Sequence, residues 1–228
     1  VASETVAGEL AGHGVPPDRI EVSGIPVDPR FALVNGSQAV RARFGFSQER
    51  PLVLVMGGGG GVGPMAELAE RLAALAAEPQ VVVLCGTNVR LKLQLEALSA
   101  TTGGRVSAMS FTPHVDLLLE AADLVVSKAG GLTCAEALVK HTPLVVFRPT
   151  PGQEVGNARY LEAGGAAVHA DSLDTVAATV SRWLDDPAAL QRARDNATRM
   201  ARPNAAEHIA TRVLESVRRE RRDTVGAA

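Results

Sequence analysis

Apolar residues along this chain fall into short runs that alternate with longer stretches of helical periodicity. The runs are Leu52 to Met56, Val81 to Cys85, Val106 to Met109, Leu124 to Val126, Leu144 to Phe147 and Ala166 to Val168. Most are rich in valine and leucine, and all are bounded by turn residues, as expected of strands buried on both faces. The stretches between them begin as helices near Gly63, Asn88, Thr112, Gly131, Glu154 and Ser172, with more helix from Pro187 and from Asn204 to the end. This alternation predicts an α/β fold, a Rossmann-like, doubly wound, parallel six-stranded sheet with helices on both faces. In the common order 3-2-1-4-5-6, strand one lies beside strand four, and ligands sit at the carboxyl ends where the order reverses. The loops Gly57 to Gly63 and Ser127 to Gly131 should meet there.

The chain upstream of the first run reads differently. Residues 1–24 look like the tail of another domain, in which Ser3 caps a short helix ended by Gly12 or Gly14, and Arg19 to Val22 forms a short strand closed by Ser23-Gly24. Pro16, Pro17, Pro26 and Pro29 punctuate it, and Ile25 to Phe31 has the stiffness of a hinge. Residues 25–50 are therefore read as an interdomain linker and helix, 51–222 as the ligand-binding domain and 223–228 as a disordered tail. Val1 opens in the middle of such a pattern without an initiator methionine, which suggests truncation upstream.

With 228 residues, 46% of them hydrophobic and 21% charged, the composition is that of an ordinary soluble domain. A formal net charge of -2 lacks the basic footprint of a nucleic-acid binder, so no nucleic-acid partner is expected. Cys85 and Cys134 stand far apart, suggesting neither a CxxC site nor a disulfide framework, and a reducing compartment fits best. No apolar run approaches the roughly 20 residues of a membrane span. The expectation is a cytoplasmic location, with room for a peripheral position at the inner face of the cell membrane.

Chemistry concentrates in three loops. The run Gly57, Gly58, Gly59, Gly60, Gly61, Val62, Gly63, Pro64 follows a strand and opens a helix, where glycines let backbone amides approach a diphosphate and the helix dipole favours its charge. A plain flexible turn is the alternative, and the place between strand and helix favours the anion site. Gly58, Gly60 and Gly63 match GxGxxG, yet strand two ends Leu84-Cys85-Gly86-Thr87-Asn88 with no carboxylate for a ribose, which counts against NAD. Nor does the run end in the Gly-Lys-Ser/Thr of a P-loop. In the second loop, Gly130, Gly131 and Thr133 bring further groups to the same anion, and Glu136, one turn on, could accept both hydroxyls of a ribose. An early-helix glutamate also suits the helix dipole alone. In the third, Pro151, Gly152, Gln153 and Glu154, with Asn157 one turn later, suit sugar hydroxyls, or else form a cap and a solvated turn.

Taken together, Met56 to Pro64, Lys128 to Leu138 and Pro151 to Asn157 make the chain resemble the monogalactosyldiacylglycerol synthases and processive diacylglycerol glucosyltransferases. These are GT-B enzymes of glycosyltransferase family 28, and the resemblance runs from about Val1 to about Gly165. It implies the C-terminal, donor-binding domain of an inverting transferase that moves a hexose from UDP-glucose or UDP-galactose to a lipid acceptor, diacylglycerol, to give a β-glycolipid. On that resemblance the glycine run and Gly130-Gly131 bind diphosphate, Glu136 takes the uridine ribose, Phe111 and Thr112 seat the uracil, and Gln153, Glu154 and Asn157 contact the donor sugar. It implies no metal and no cofactor; Asp185-Asp186-Pro187 is read as a helix end and cap. The general base and acceptor groove belong to a domain outside this chain, so no catalytic residue is assigned here and the fragment alone is expected to be inactive. Two departures stand out: where relatives carry an arginine after the Gly24-Ile25-Pro26-Val27 linker, this chain has Asp28 and then Arg30, and after Cys85-Gly86 it has Thr87. The alternatives are an N-acetylglucosamine transferase of the lipid II-forming type, a UDP-sugar 2-epimerase, or a non-catalytic nucleotide-sugar-binding subunit of a two-chain transferase.

Overall fold

Alternation within each apolar run decides the architecture. Leu52 and Leu54 pack into one hydrophobic cluster while Val53 and Val55 pack into another, and the same split divides Leu144 and Val146 from Val145 and Phe147. A strand apolar on both faces is stable only between two layers of helices. The computed structural model, which describes residues 1–61 and 63–226 and side chains as far as residue 218, has that form. Strands β1 (Leu52–Met56), β2 (Gln80–Gly86), β3 (Val106–Ser110), β4 (Leu124–Ser127), β5 (Leu144–Phe147) and β6 (Ala167–Ala170) make one sheet in the order β3-β2-β1-β4-β5-β6. All its pairings are parallel. The expected order and switch point between β1 and β4 are both observed.

Ten α-helices are present among the described residues: α1 (Glu4–Gly12), α2 (Ser37–Phe44), α3 (Met65–Ala73), α4 (Val89–Thr101), α5 (Val115–Ala121), α6 (Gly131–Val139), α7 (Gln153–Ala163), α8 (Leu173–Asp185), α9 (Pro187–Met200) and α10 (Ala205–Gly226). Helices α3, α4 and α8 cover the face that carries Val53 and Val55, while α5, α6 and α7 cover the opposite face together with the linker residues Val27, Phe31 and Val40. Several starts follow capping chemistry: Ser3 Oγ accepts from Val6 N–H, Asn88 Oδ1 from Leu91 N–H, and Asp186 Oδ1 from Ala189 N–H. Asp186 thus ends α8 and caps α9, with Pro187 at the first helical position, as the sequence suggested. At α8, Ser172 Oγ accepts from Thr175 N–H at 3.1 Å. Ser172→Ala should cost about 1 kcal/mol of stability, measured as a shift in urea midpoint, and leave ligand binding unchanged.

Three expectations change. Arg19 to Val22 is not a strand: Pro17 starts a 3-10 turn through Arg19, and the following residues only bracket Val1, whose carbonyl accepts from Ser23 and Gly24. With no sheet edge beside it, this segment has no ladder to join. Helix α5 starts at Val115 rather than near Thr112, because Thr112 Oγ1 accepts from His114 N–H in a local turn that includes Pro113. The tail expected from 223 is helical as far as Gly226; the rest of it, and the side chains of Arg219, Arg221 and Arg222, lie outside the described residues.

The linker is anchored at both ends of the sheet. At the foot, α2 is held by Arg41, 9% exposed, whose Nε donates to Ala121 O and whose NH2 meets Asp123 Oδ2 at 2.8 Å. That same carboxylate oxygen accepts from Leu52 N–H as β1 begins. Beside it, Glu120 pairs with Lys140 at 2.7 Å and accepts from the Asn35 and Gly36 amides. At the crest, Ile25 packs against the start of α6, its Cδ1 3.2 Å from where a Cβ on Gly131 would stand.

Candidate functional site

The glycine run leaves β1 at the crest and is held there by the end of β2. Gly59 O accepts from Thr87 N–H at 3.2 Å and Gly61 O accepts from Asn88 Nδ2 at 3.1 Å. Close approach needs glycine on both sides: a Cβ on Gly86 would lie 2.1 Å from Gly59 O, and one on Gly61 would lie 2.4 Å from Cys85 O. Gly61 N–H closes a turn onto Gly58 O at 3.0 Å, so this amide is already used within the loop. By contrast, Cβ atoms on Gly58, Gly59 and Gly63 would meet nothing within 4 Å, so these positions face open space where a ligand can approach. Val62 lies outside the described residues.

The second loop sits alongside, tied across the switch point by Ser127 Oγ, which donates to Met56 O at 2.9 Å. Helix α6 starts at Gly131 with no side-chain cap, so its first amides are free for an anion. Thr133 Oγ1 stands 4.0 Å from the position of a Cβ on Gly130. Below, a cavity of about 210 Å³ reaches from Gly57 and Gly63 to Lys128 and Arg148. These two cations were not singled out from the sequence. Each directly follows the carboxyl end of a strand, Lys128 after β4 at the switch point and Arg148 after the neighbouring β5, and that position is the signal that would have found them. Arg148 holds a left-handed backbone, φ 50°, with its guanidinium 5.3 Å from the Phe147 ring centroid. Such strain in a non-glycine residue is retained where the surrounding structure demands it.

The third loop converges on the second. Asn157 Nδ2 donates to Ala129 O at 2.9 Å, and Gln153 Nε2 lies 3.6 Å from the position of a Cβ on Gly131. Gln153 is exposed at the first turn of α7, beyond Gly152, whose φ of 98° makes the turn after Pro151. Glu154 Oε2 accepts from Thr150 N–H at 2.6 Å, so in this structure it steadies its own loop. A cavity of about 660 Å³ opens beside Gln153 and Asn157, between α1, α6 and α7.

Phe111 and Thr112 flank the glycine run on its other side. Phe111 N–H donates to Gly86 O at 3.0 Å, which ties this loop to the same residue that supports the glycines, and Phe111 is 76% exposed. Glu136 is half-buried on α6. Burial pushes its carboxyl above the ordinary value near 4.5; Arg30 opposes the rise and Asp116 adds to it. Arg30 stands on the 3-10 turn Pro29–Ala32, which packs on α6, and pairs with Asp28 at 3.6 Å. Thr87, the other departure from the family pattern, supports Gly59.

Residues 52–209 match the model of the glycosyltransferase family 28 C-terminal domain. The chain is 31% identical over 216 residues to the processive diacylglycerol beta-glucosyltransferase of Bacillus subtilis, covering 94% of this chain and 56% of that protein. It is 33% identical over 227 residues to the probable monogalactosyldiacylglycerol synthase 3 of Oryza sativa, covering 96% of this chain and 44% of the relative. The chain thus spans about half the length of the curated relatives it matches. Among solved structures, UDP-GlcNAc 2-epimerase from Neisseria meningitidis superposes with a TM-score of 0.71 at 16% identity, over 93% of this chain and 59% of that one, a likeness of fold. A family model matching most of the chain and relatives above 30% identity agree with the three convergent loops, and the chain belongs to the glycosyltransferase family 28 C-terminal domain family.

Proposed function

We propose that this chain is the donor-binding half of an inverting hexosyltransferase that takes UDP-glucose or UDP-galactose and glycosylates a lipid, diacylglycerol, to form a β-glycolipid. One observation carries the reading: three loops from β1, β4 and β5, each with its own chemistry, are tied together at the switch point. The glycine run and the uncapped start of α6 offer amides to the diphosphate, Glu136 accepts ribose hydroxyls, and Gln153 and Asn157 face the sugar. In the transfer, the acceptor hydroxyl attacks the anomeric carbon as the bond to the diphosphate breaks. Negative charge grows on the leaving UDP, where helix dipole, amides, Lys128 and Arg148 are already in place. Asp185 and Asp186 are taken up at a helix junction, and we read the transfer as metal-independent. The general base and acceptor groove are assigned to the remaining length of the protein. No helix among the described residues is long and apolar enough to cross a membrane. With a lipid acceptor, we read the enzyme as cytoplasmic and peripheral at the inner face of the cell membrane.

The test is to incubate the full-length protein with each UDP-sugar, with and without diacylglycerol, and to measure binding of UDP-glucose, UDP-galactose, UDP-N-acetylglucosamine and NAD by calorimetry. Glycolipid formed only with acceptor, unaffected by EDTA, is the expected result. Sugar isomerised at C2 without acceptor would instead place the protein with the epimerases that share its fold, and preference for NAD would remove the nucleotide-sugar reading altogether.

A further inference from the structure

The larger cavity, of about 660 Å³, touches the residues assigned to the donor sugar only along one wall. Away from Gln153 and Asn157 its walls are largely aliphatic: Val6 of α1, Ile25 of the linker, and the buried Leu138, Val139 and Leu161 of α6 and α7. Glu9, Arg159 and Arg202 also border it, but all three are exposed and keep their charges in water. A hexose needs donors and acceptors around its ring, and this space offers few of them. Its volume lies within the range of cavities that take small ligands, about 300–1,000 Å³, and its lining suits an apolar one.

Helix α7 adds a second observation. Gly156 lies inside this helix and lines the cavity. Glycine within a helix costs stability and is used where another group must come close. Among the described residues no such group comes: a Cβ on Gly156 would meet nothing within 4 Å, and its backbone is helical, so no special conformation requires glycine. The space in front of Gly156 is therefore open to a ligand. The acceptor hydroxyl must come up to the anomeric carbon, beside the residues that face the sugar, and in a diacylglycerol the acyl chains leave the carbons next to that hydroxyl. A chain that starts there stands at the wall shared by Gln153, Gly156 and Asn157.

We propose that the cavity between α1, α6 and α7 takes one acyl chain of the lipid acceptor, so that the half of the enzyme that binds the donor also grips the acceptor by its apolar part. The inference rests on the lipid-acceptor reading above; the general base and the groove for the rest of the acceptor stay with the remaining length of the protein. A neutral diacylglycerol needs no cation, which agrees with Arg159 and Arg202 remaining in solvent. The cavity then acts as a gauge of chain length.

The test uses the full-length protein with UDP-glucose and either dipalmitoyl- or dibutanoylglycerol in mixed micelles. Gly156→Leu narrows the cavity from α7 and Val6→Trp narrows it from α1. Each should raise KM for the long-chain lipid on the order of 10-fold, as roughly two methylenes lose their burial, while KM for the short-chain lipid and for UDP-glucose stays close to wild type. Gly8→Leu, at a glycine equally open but outside the cavity walls, should match wild type throughout. Gly156→Leu should unfold no earlier than wild type, because leucine favours the helix. Equal losses with both lipids, a rise in KM for UDP-glucose instead, or no loss in either variant would overturn the inference. A wild-type protein that binds UDP-glucose yet glycosylates neither lipid overturns the lipid-acceptor reading itself, and the acyl site with it.

Discussion

Replacing Gly86 by alanine should weaken UDP binding by about 100-fold, although Gly86 itself is not assigned to the ligand. Its φ of 56° is unfavourable for alanine, and a Cβ there would sit 2.1 Å from Gly59 O, an overlap relieved only by moving the glycine run away from β2. A displacement on the order of 1 Å in groups that position a reacting ligand costs about two decades. Gly103 makes the matched control. Its φ is 62° and a Cβ there would meet nothing within 4 Å, so Gly103→Ala carries the backbone strain without the collision. It should lose roughly 1 kcal/mol of stability and no affinity. Equal effects of the two substitutions on calorimetric affinity would show that the β2 support is irrelevant to binding.

A second large effect is expected at Glu136, and its pH dependence identifies the cause. Glu136→Gln should weaken UDP binding by about 1–3 kcal/mol, the scale of a hydrogen bond to a charged group. Because burial raises the carboxyl above its ordinary value near 4.5, the wild-type carboxylate takes up its proton at a higher pH than an exposed glutamate. Affinity for UDP-glucose, whose esterified diphosphate does not titrate in this range, should therefore be flat near neutrality and fall with acidification before ordinary carboxylates titrate, while the glutamine variant stays flat. Stability without ligand runs the other way. A raised folded value means that the ionised form destabilises the fold above that value, and that the cost is relieved as pH falls through the window between the folded and unfolded values. At neutral pH, Glu136→Gln should accordingly be at least as stable as wild type while binding less well. A variant that loses stability and affinity together would make Glu136 a packing residue.

The sheet, its order and the meeting of the first two loops were legible because they follow from local rules: apolar runs of strand length, helical spacing between them, and the switch point of doubly wound sheets. Two of the six runs, Leu52 to Met56 and Leu144 to Phe147, coincide with the strands observed. Contacts between residues distant in sequence were not legible. Strand two's end was read for the carboxylate it lacks, whereas its residues Gly86, Thr87 and Asn88 hold the glycine run in place. The burial of Asp116 was not legible either, because nothing in Val115 to Ala121 tells how deeply α5 is buried. Arg30 stood out only as a departure from a family pattern; the packing of its 3-10 turn on α6 depends on how the linker folds back over the sheet. Glu154 shows the reverse, a residue whose loop-steadying role is local and visible at Thr150.

The anchoring of the linker has a mechanical consequence. Between Asn35 and Arg41 the chain is fixed to the foot of the sheet through Glu120, Ala121 and Asp123, so nothing downstream of Asn35 is free to pivot. The stretch before it is pinned as well: Val27 and Phe31 sit in the core, the 3-10 turn of Arg30 packs on α5 and α6, and Leu33 O accepts from Lys140 Nζ. Residues 25–41 therefore form a strap across one face of the sheet, from the start of α6 at Ile25 to the foot of β1, and a displacement at either end is passed along the whole strap instead of being absorbed within it.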